Sequence, residues 1–85
     1  MPVTLYVGNL PWSLTEDELA DAFTSVGPVH SARIITDRDT GRSRGFGFVD
    51  LAEEHAARAI QTMDGFELKG RRLIVNEARP RTRRF

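Results

Sequence analysis

Apolar residues in this chain recur with two different periods, and each stretch of constant period predicts one element. In Thr4–Asn9, Leu5 and Val7 alternate with Thr4 and Tyr6, the period of a half-buried strand. Pro11-Trp12-Ser13-Leu14 breaks the pattern and reads as a loop, with Trp12 packing against the helix that follows. Thr15 and Glu18 have the spacing of a capping box, and Leu19, Ala22, Phe23 and Val26 then form a helical stripe that Gly27-Pro28 should end. Val29–Thr36 is a second strand, with Ala32 and Ile34 inward and Arg33 and Ile35 on the other face. A polar loop over 37–43 leads into a third strand at 44–51. Glu53–Met63 has helical spacing, with Ala56, Ala59, Ile60 and Met63 inward and Asp64-Gly65 as its stop. Phe66–Arg72 reads as a hairpin-like connection and Leu73–Glu77 as the last strand. There Leu73 and Val75 face inward, while Ile74 and Asn76 share the face of Tyr6.

The third strand, Arg44-Gly45-Phe46-Gly47-Phe48-Val49-Asp50-Leu51, is unusual. Its period of two puts Phe46 and Phe48 on one face, in line with Arg44, and Gly45, Gly47, Val49 and Leu51 on the other. Val49 and Leu51 suffice to meet the helices, so the two rings are left for flat, charged partners: bases stack on rings and phosphates pair with Arg. The glycines weaken a strand and predict a close approach of packed elements on the face opposite the rings. The octamer matches K/R-G-F/Y-G/A-F-V-x-F/Y at seven of eight positions, with Leu51 on the packing face as the departure. In these residues the chain resembles the RNA recognition motif (RRM) family. Leu5-Tyr6-Val7-Gly8-Asn9-Leu10 is similar to that family's second signature, a hexamer with an aromatic at its second position.

The resemblance implies an α+β fold, the ferredoxin-like split βαβ, in the order β-α-β-β-α-β. Its four-stranded antiparallel sheet would run in the order 4-1-3-2, with both helices on one face. That order sets the signature strands side by side, so Tyr6 joins Phe46 and Phe48. By the family pattern, Tyr6 and Phe48 each stack a base, Phe46 packs against the sugars and Arg44 pairs with a phosphate. Asn76, Glu77, Ala78 and Arg79 would supply hydrogen bonds to base edges, many through the backbone. The partner implied is single-stranded RNA, with single-stranded DNA as the alternative, and no cofactor, metal or catalysis. The same fold also admits a protein partner bound through the helices, or an enzyme like the acylphosphatases, which share the topology. Acylphosphatases need an Arg in the loop after the first strand, and Gly8–Leu14 holds neither Arg nor Lys.

Composition changes this picture little, but charge placement sharpens it. The formal net charge of zero would argue against a nucleic-acid partner, yet residues 1–68 carry eleven acidic groups against five basic ones. Residues 69–85 hold Lys69, Arg71, Arg72, Arg79, Arg81, Arg83 and Arg84 against Glu77 alone, which predicts a basic face and an acidic back. Residues 1–78 are expected to form the domain and residues 79–85 a flexible basic tail. The acidic first turn at Glu16, Asp17 and Glu18 suits a helix dipole better than catalysis. Asp37-Arg38-Asp39-Thr40-Gly41 is only superficially a calcium loop, because Phe48 stands where the twelfth-position Glu belongs; the basic loop reads as a flap over bound RNA. His30 and His55 lack a second ligand at metal spacing, and Gly45-x-Gly47 lacks the third glycine of a dinucleotide site. With no cysteine there is no disulfide framework, and no apolar run is long enough for a membrane span. Met1 reads as a true start. A monomer in the bacterial cytoplasm is expected, where similar single-domain proteins occur; nucleus or plastid is the alternative.

Overall fold

The computed structural model describes residues 2–41 and 43–78, the side chains of Ser43 and Arg44 excepted. The elements run β1 (Pro2–Gly8), α1 (Glu16–Thr24), β2 (Val29–Thr36), β3 (Ser43–Ala52), α2 (Glu53–Met63), β4 (Glu67–Leu68), β5 (Arg71–Arg72) and β6 (Ile74–Glu77). Four strands form one antiparallel sheet in the order β2-β3-β1-β6, and β4 and β5 pair separately as a small hairpin. With β6 as the fourth long strand, this is the split βαβ arrangement and the 4-1-3-2 order expected from the sequence.

The centre is the β1–β3 pair, in register from Pro2 opposite Ala52 to Gly8 opposite Phe46. Alternation places Leu5, Val7, Val49 and Leu51 on one face, where all four are fully buried together with Val75 of β6. Leu19 and Phe23 of α1 and Ala56, Ala59 and Met63 of α2 close that face. Leu51, the departure from the octamer signature, is thus a core residue. The other face carries Thr4, Tyr6, Phe46, Phe48 and Asp50.

Both helices start as the sequence indicates. Thr15 caps α1 with a complete box: its hydroxyl accepts from the Glu18 N–H at 3.1 Å, and Glu18 Oε1 accepts from the Thr15 N–H at 3.0 Å. Lys69 Nζ also donates to both Glu18 oxygens, at 3.1 and 3.0 Å, fixing the β4–β5 hairpin to α1. That hairpin turns through Lys69 and Gly70, both with positive φ, as a two-residue turn requires. Gly27 has a different role from the helix stop expected of it. Helix α1 ends at Thr24 with Ser25 as a right-handed C-cap. A Cβ on Gly27 would lie 2.7 Å from the His55 ring, so this glycine admits the imidazole of α2.

Both sheet edges have an amide covered by a carboxylate. On β2 the Ile34 N–H donates to Glu16 Oε2 at 2.9 Å, and on β6 the Val75 N–H donates to Asp64 Oδ1 at 3.0 Å. Occupied edge amides oppose strand addition by another chain and leave the sheet's open face as its free surface.

The reciprocal cap predicts a measurable cost. Thr15→Ala should lower unfolding free energy by about 1 kcal/mol in chemical denaturation, whereas Thr15→Ser should stay close to the parent. An unchanged midpoint for Thr15→Ala would mean that the tertiary contacts of α1 make the cap redundant.

Candidate nucleic-acid interface

The open face of the sheet is a grid of cross-strand rows. The middle row is Arg33, Phe48, Tyr6 and Asn76, contributed in turn by β2, β3, β1 and β6. On one side of it lie Phe46, Gly8 and Ile74; on the other, Ser31, Asp50 and Thr4. Tyr6, Phe46 and Phe48 touch one another, with ring centroids 5.8 Å (Tyr6–Phe46), 6.2 Å (Tyr6–Phe48) and 6.1 Å (Phe46–Phe48) apart. The three rings are half-buried among themselves and lie outside the hydrophobic core. The Arg33 guanidinium stands 5.7 Å from the Phe48 centroid, a cation–π contact that leaves a positive group beside the ring.

Glycines shape this surface. A Cβ on Gly8 would fall 2.6 Å from the Tyr6 hydroxyl and 2.9 Å from its ring, so the tyrosine lies down along its own strand over Gly8. At Gly47 a Cβ would meet the Arg33 carbonyl oxygen on β2. The close approach expected at the glycines is therefore to the neighbouring strand, not to the helices. Gly45 has φ +87°, in a bulge where β3 runs from Gly47 back to Ser43 while β2 runs only from Ile34 to Thr36. Its carbonyl accepts the Leu10 N–H at 2.8 Å.

Trp12 sits over this bulge, its Nε1 3.9 Å from where a Gly45 Cβ would stand, and is 64% exposed. The bulge at Gly45 gives the indole a resting place at the Phe46 end of the platform.

Of the residues singled out in the sequence, Tyr6, Phe46, Phe48 and Asn76 come together on this face. Glu77 pairs with Leu5, so its side chain belongs to the helix side of the sheet, and only its backbone can serve the platform. The Ala78 N–H donates to the Thr4 carbonyl at 2.9 Å, so a contact from Ala78 to a ligand falls to its carbonyl. Arg44 contributes its backbone to β3; its side chain, together with Arg42, Arg79 and the rest of the 79–85 tail, lies outside the described residues. The basic skew reaches the site only in part, because Lys69 is paired with Glu18. Arg71 Nη2 donates to Asn9 Oδ1 at 2.6 Å and Asn9 Nδ2 to the Arg72 carbonyl at 2.7 Å, tying the hairpin to the end of β1.

Six residues of the face carried no functional expectation: Arg33, Ile74, Gly8, Ser31, Thr4 and Asp50. Thr4 Oγ1 donates to Asp50 Oδ1 at 2.5 Å and Ser31 Oγ to Asp50 Oδ2 at 2.8 Å. The Thr4 bond foremost, then the Ser31 bond and the positive charge of Arg33, hold this carboxyl below its ordinary 3.8 despite partial desolvation. Its place two residues from Phe48 on the same face was the available signal.

Comparison with known proteins places this geometry. Residues 5–74 match the family model described as RNA recognition motif. The putative RNA-binding protein RbpE of Nostoc sp. is 52% identical over 81 residues, 93% of this chain and 81% of its own length. The chloroplastic RNA-binding protein CP31B of Arabidopsis thaliana is 49% identical over 94% of the chain, which spans only 28% of that relative. Among solved structures, RNA-binding protein PG1 superposes with a TM-score of 0.87 at 49% identity, covering 95% of this chain and 99% of its own. The RRM of Rna15 with bound RNA superposes with a TM-score of 0.78 at 32% identity, covering 88% and 81%.

A depressed native pKa makes Asp50 a source of acid sensitivity. Its stabilisation is fully present above the unfolded carboxyl pKa near 3.8 and is lost as pH falls through the lower native value. Glu18, held below 4.5 mainly by the Thr15 N–H and also by Lys69, acts in the same direction. Thermal melts between about pH 5 and 2 should therefore show a shallower decline for Asp50→Asn than for the parent, with the Glu18 share retained. Identical slopes would mean that the Asp50 carboxyl titrates alike in the folded and unfolded chain.

Proposed function

The chain belongs to the RNA recognition motif family, and from that premise we propose that its open sheet face binds single-stranded RNA. The family is one of binding modules and not of enzymes, so the acylphosphatase alternative falls away. One observation carries the proposal: three rings in mutual contact on the face that the helices leave open, where they add nothing to the core. Tyr6 and Phe48 each stack a base and Phe46 lies under the sugars between them. Arg44 pairs with a phosphate, and Arg33, held against Phe48, supplies a second cation. Asn76 offers its amide to a base edge; Glu77 and Ala78 act through their backbones, and Arg79 begins a basic tail that follows the phosphates. No metal or cofactor takes part, and a monomer suffices.

The stacking chemistry does not by itself separate RNA from DNA; that distinction rests on the 2′-hydroxyl. A face of three rings reads only a few nucleotides, so the module suits a role in post-transcriptional regulation or RNA chaperoning, where contacts are many and weak. Cyanobacterial and chloroplastic relatives support the bacterial cytoplasm or a plastid as its place of action.

Phe48→Ala tests the platform. Removing one stacking ring should weaken binding of a short oligoribonucleotide by about 5- to 150-fold, the equivalent of about 1–3 kcal/mol, with little change in the melting temperature. Leu51→Ala should do the reverse and cost about 2–5 kcal/mol of stability. If Phe48→Ala unfolds the protein as Leu51→Ala does, the rings are core and not platform. A parallel titration with DNA of the same sequence measures the contribution of the 2′-hydroxyls.

Truncation after Ala78 tests the tail. Each phosphate neutralised on a single strand adds about −0.7 to the slope of log K against log salt, so four engaged arginines contribute up to about −2.8. The truncated chain should show a flatter slope with its base preference retained. An unchanged slope would leave the tail with no part in binding.

A further inference from the structure

Asp50 is out of place on a surface that receives a polyanion. Asp50 stands one row from the Phe48–Tyr6 pair, two residues along β3 or about 6.8 Å between Cα positions, a span its side chain and the edge of a base stacked on either ring can bridge. The two hydroxyls that hold it come from its two neighbouring strands, Thr4 of β1 on Oδ1 and Ser31 of β2 on Oδ2. Each carboxylate oxygen has about two acceptor sites, so one on each oxygen is left after the hydroxyls are counted. The side chain is partly exposed, so those sites can be approached from the open face.

Building on the RNA-binding reading, we infer that Asp50 selects the base stacked beside it, favouring guanine. Guanine presents two adjacent donors on its Watson–Crick edge, N1–H and the N2 amino group, which match the two oxygens of one carboxylate. The other bases present that edge with acceptors next to the donor. Uracil has one N–H between two carbonyls, adenine and cytosine have an amino group beside a ring acceptor, and each would set a lone pair against a fixed negative charge. The same charge repels phosphate, so the backbone must pass on the side of the rings away from Asp50 and turn base edges toward it. The hydroxyl latch sets the orientation of the carboxylate before RNA arrives, so little is lost in ordering it. A carboxylate serving only to fasten three strands would be indifferent to the base.

Oligouridylates carrying one central variable base separate these roles, with binding followed by the fluorescence of Trp12. Guanine in that position should bind roughly 5- to 150-fold tighter than uracil, the range of a good bidentate base contact. Inosine, which lacks only the N2 amino group, should forfeit most of that preference on the unaltered protein. Asp50→Asn should reduce the guanine-to-uracil ratio to about two or less while still binding the all-uridine oligonucleotide. Equal affinity for guanine and inosine, or a guanine preference surviving in Asp50→Asn, would overturn the role of Asp50 with RNA binding intact. Absence of binding to every oligonucleotide would instead refute the RNA-binding reading on which it rests. The inosine arm needs no variant, so it decides the matter even if Asp50→Asn fails to fold.

Discussion

The antiparallel pairing of β1 with β3 is the constraint from which the rest follows. One register, Tyr6 opposite Phe48, both sinks Leu5, Val7, Val49 and Leu51 beneath the helices and stands the rings on the opposite face. Because side chains alternate, a slip of one residue would send the rings into the core and the aliphatic residues into water. The hydrophobic effect thus enforces a binding surface it does not itself use: the burial of four aliphatic side chains fixes the position of three aromatic ones. Core and platform are two sides of a single pairing, which is why substitutions on the two sides should separate so cleanly into effects on stability and on binding.

Around that pair, small departures from regular structure fit the surface to a flat ligand. Gly8 lets Tyr6 lie along the sheet, Gly47 leaves room for the Arg33 carbonyl of β2, and the register sets Arg33 against Phe48. The bulge at Gly45 turns the start of β3 and seats Trp12 beside it. Carboxylates at Glu16 and Asp64 cover an amide on each outer strand, opposing edge pairing and leaving the face as the surface of recognition. The charge pattern follows the same division. Lys69 is paired with Glu18 at the helix side, and Arg33 is the cation that the described residues place against a ring.

What could be read from the sequence was what is local. Element periods, the Thr15–Glu18 box and the two signature strands are each contained within a few residues, and they carried the fold and the positions of Tyr6, Phe46, Phe48 and Asn76. What could not be read depends on register or on contacts between distant residues. Alternation puts Asp50 on the face of Phe48, but its partners Thr4 and Ser31 arrive from two other strands, 46 and 19 residues away in sequence. Gly27 resembled a helix stop because Gly-Pro usually is one, whereas its reason is the His55 ring from the second helix. The nearness of Trp12 to Gly45 was not legible, because nothing near it in sequence announces the bulge. The pairing of Glu77 with Leu5 puts its side chain opposite Asn76, as strand alternation implies, and leaves its backbone for the platform.

That the rings, and not the helices, meet the ligand is tested most directly by intermolecular nuclear Overhauser effects in a complex of the full chain with a short oligoribonucleotide. Cross-peaks should join base protons to the rings of Tyr6 and Phe48 and ribose protons to the ring of Phe46, with none to the outer faces of α1 and α2. Cross-peaks confined to the helices, with the three ring spin systems unshifted, would contradict it.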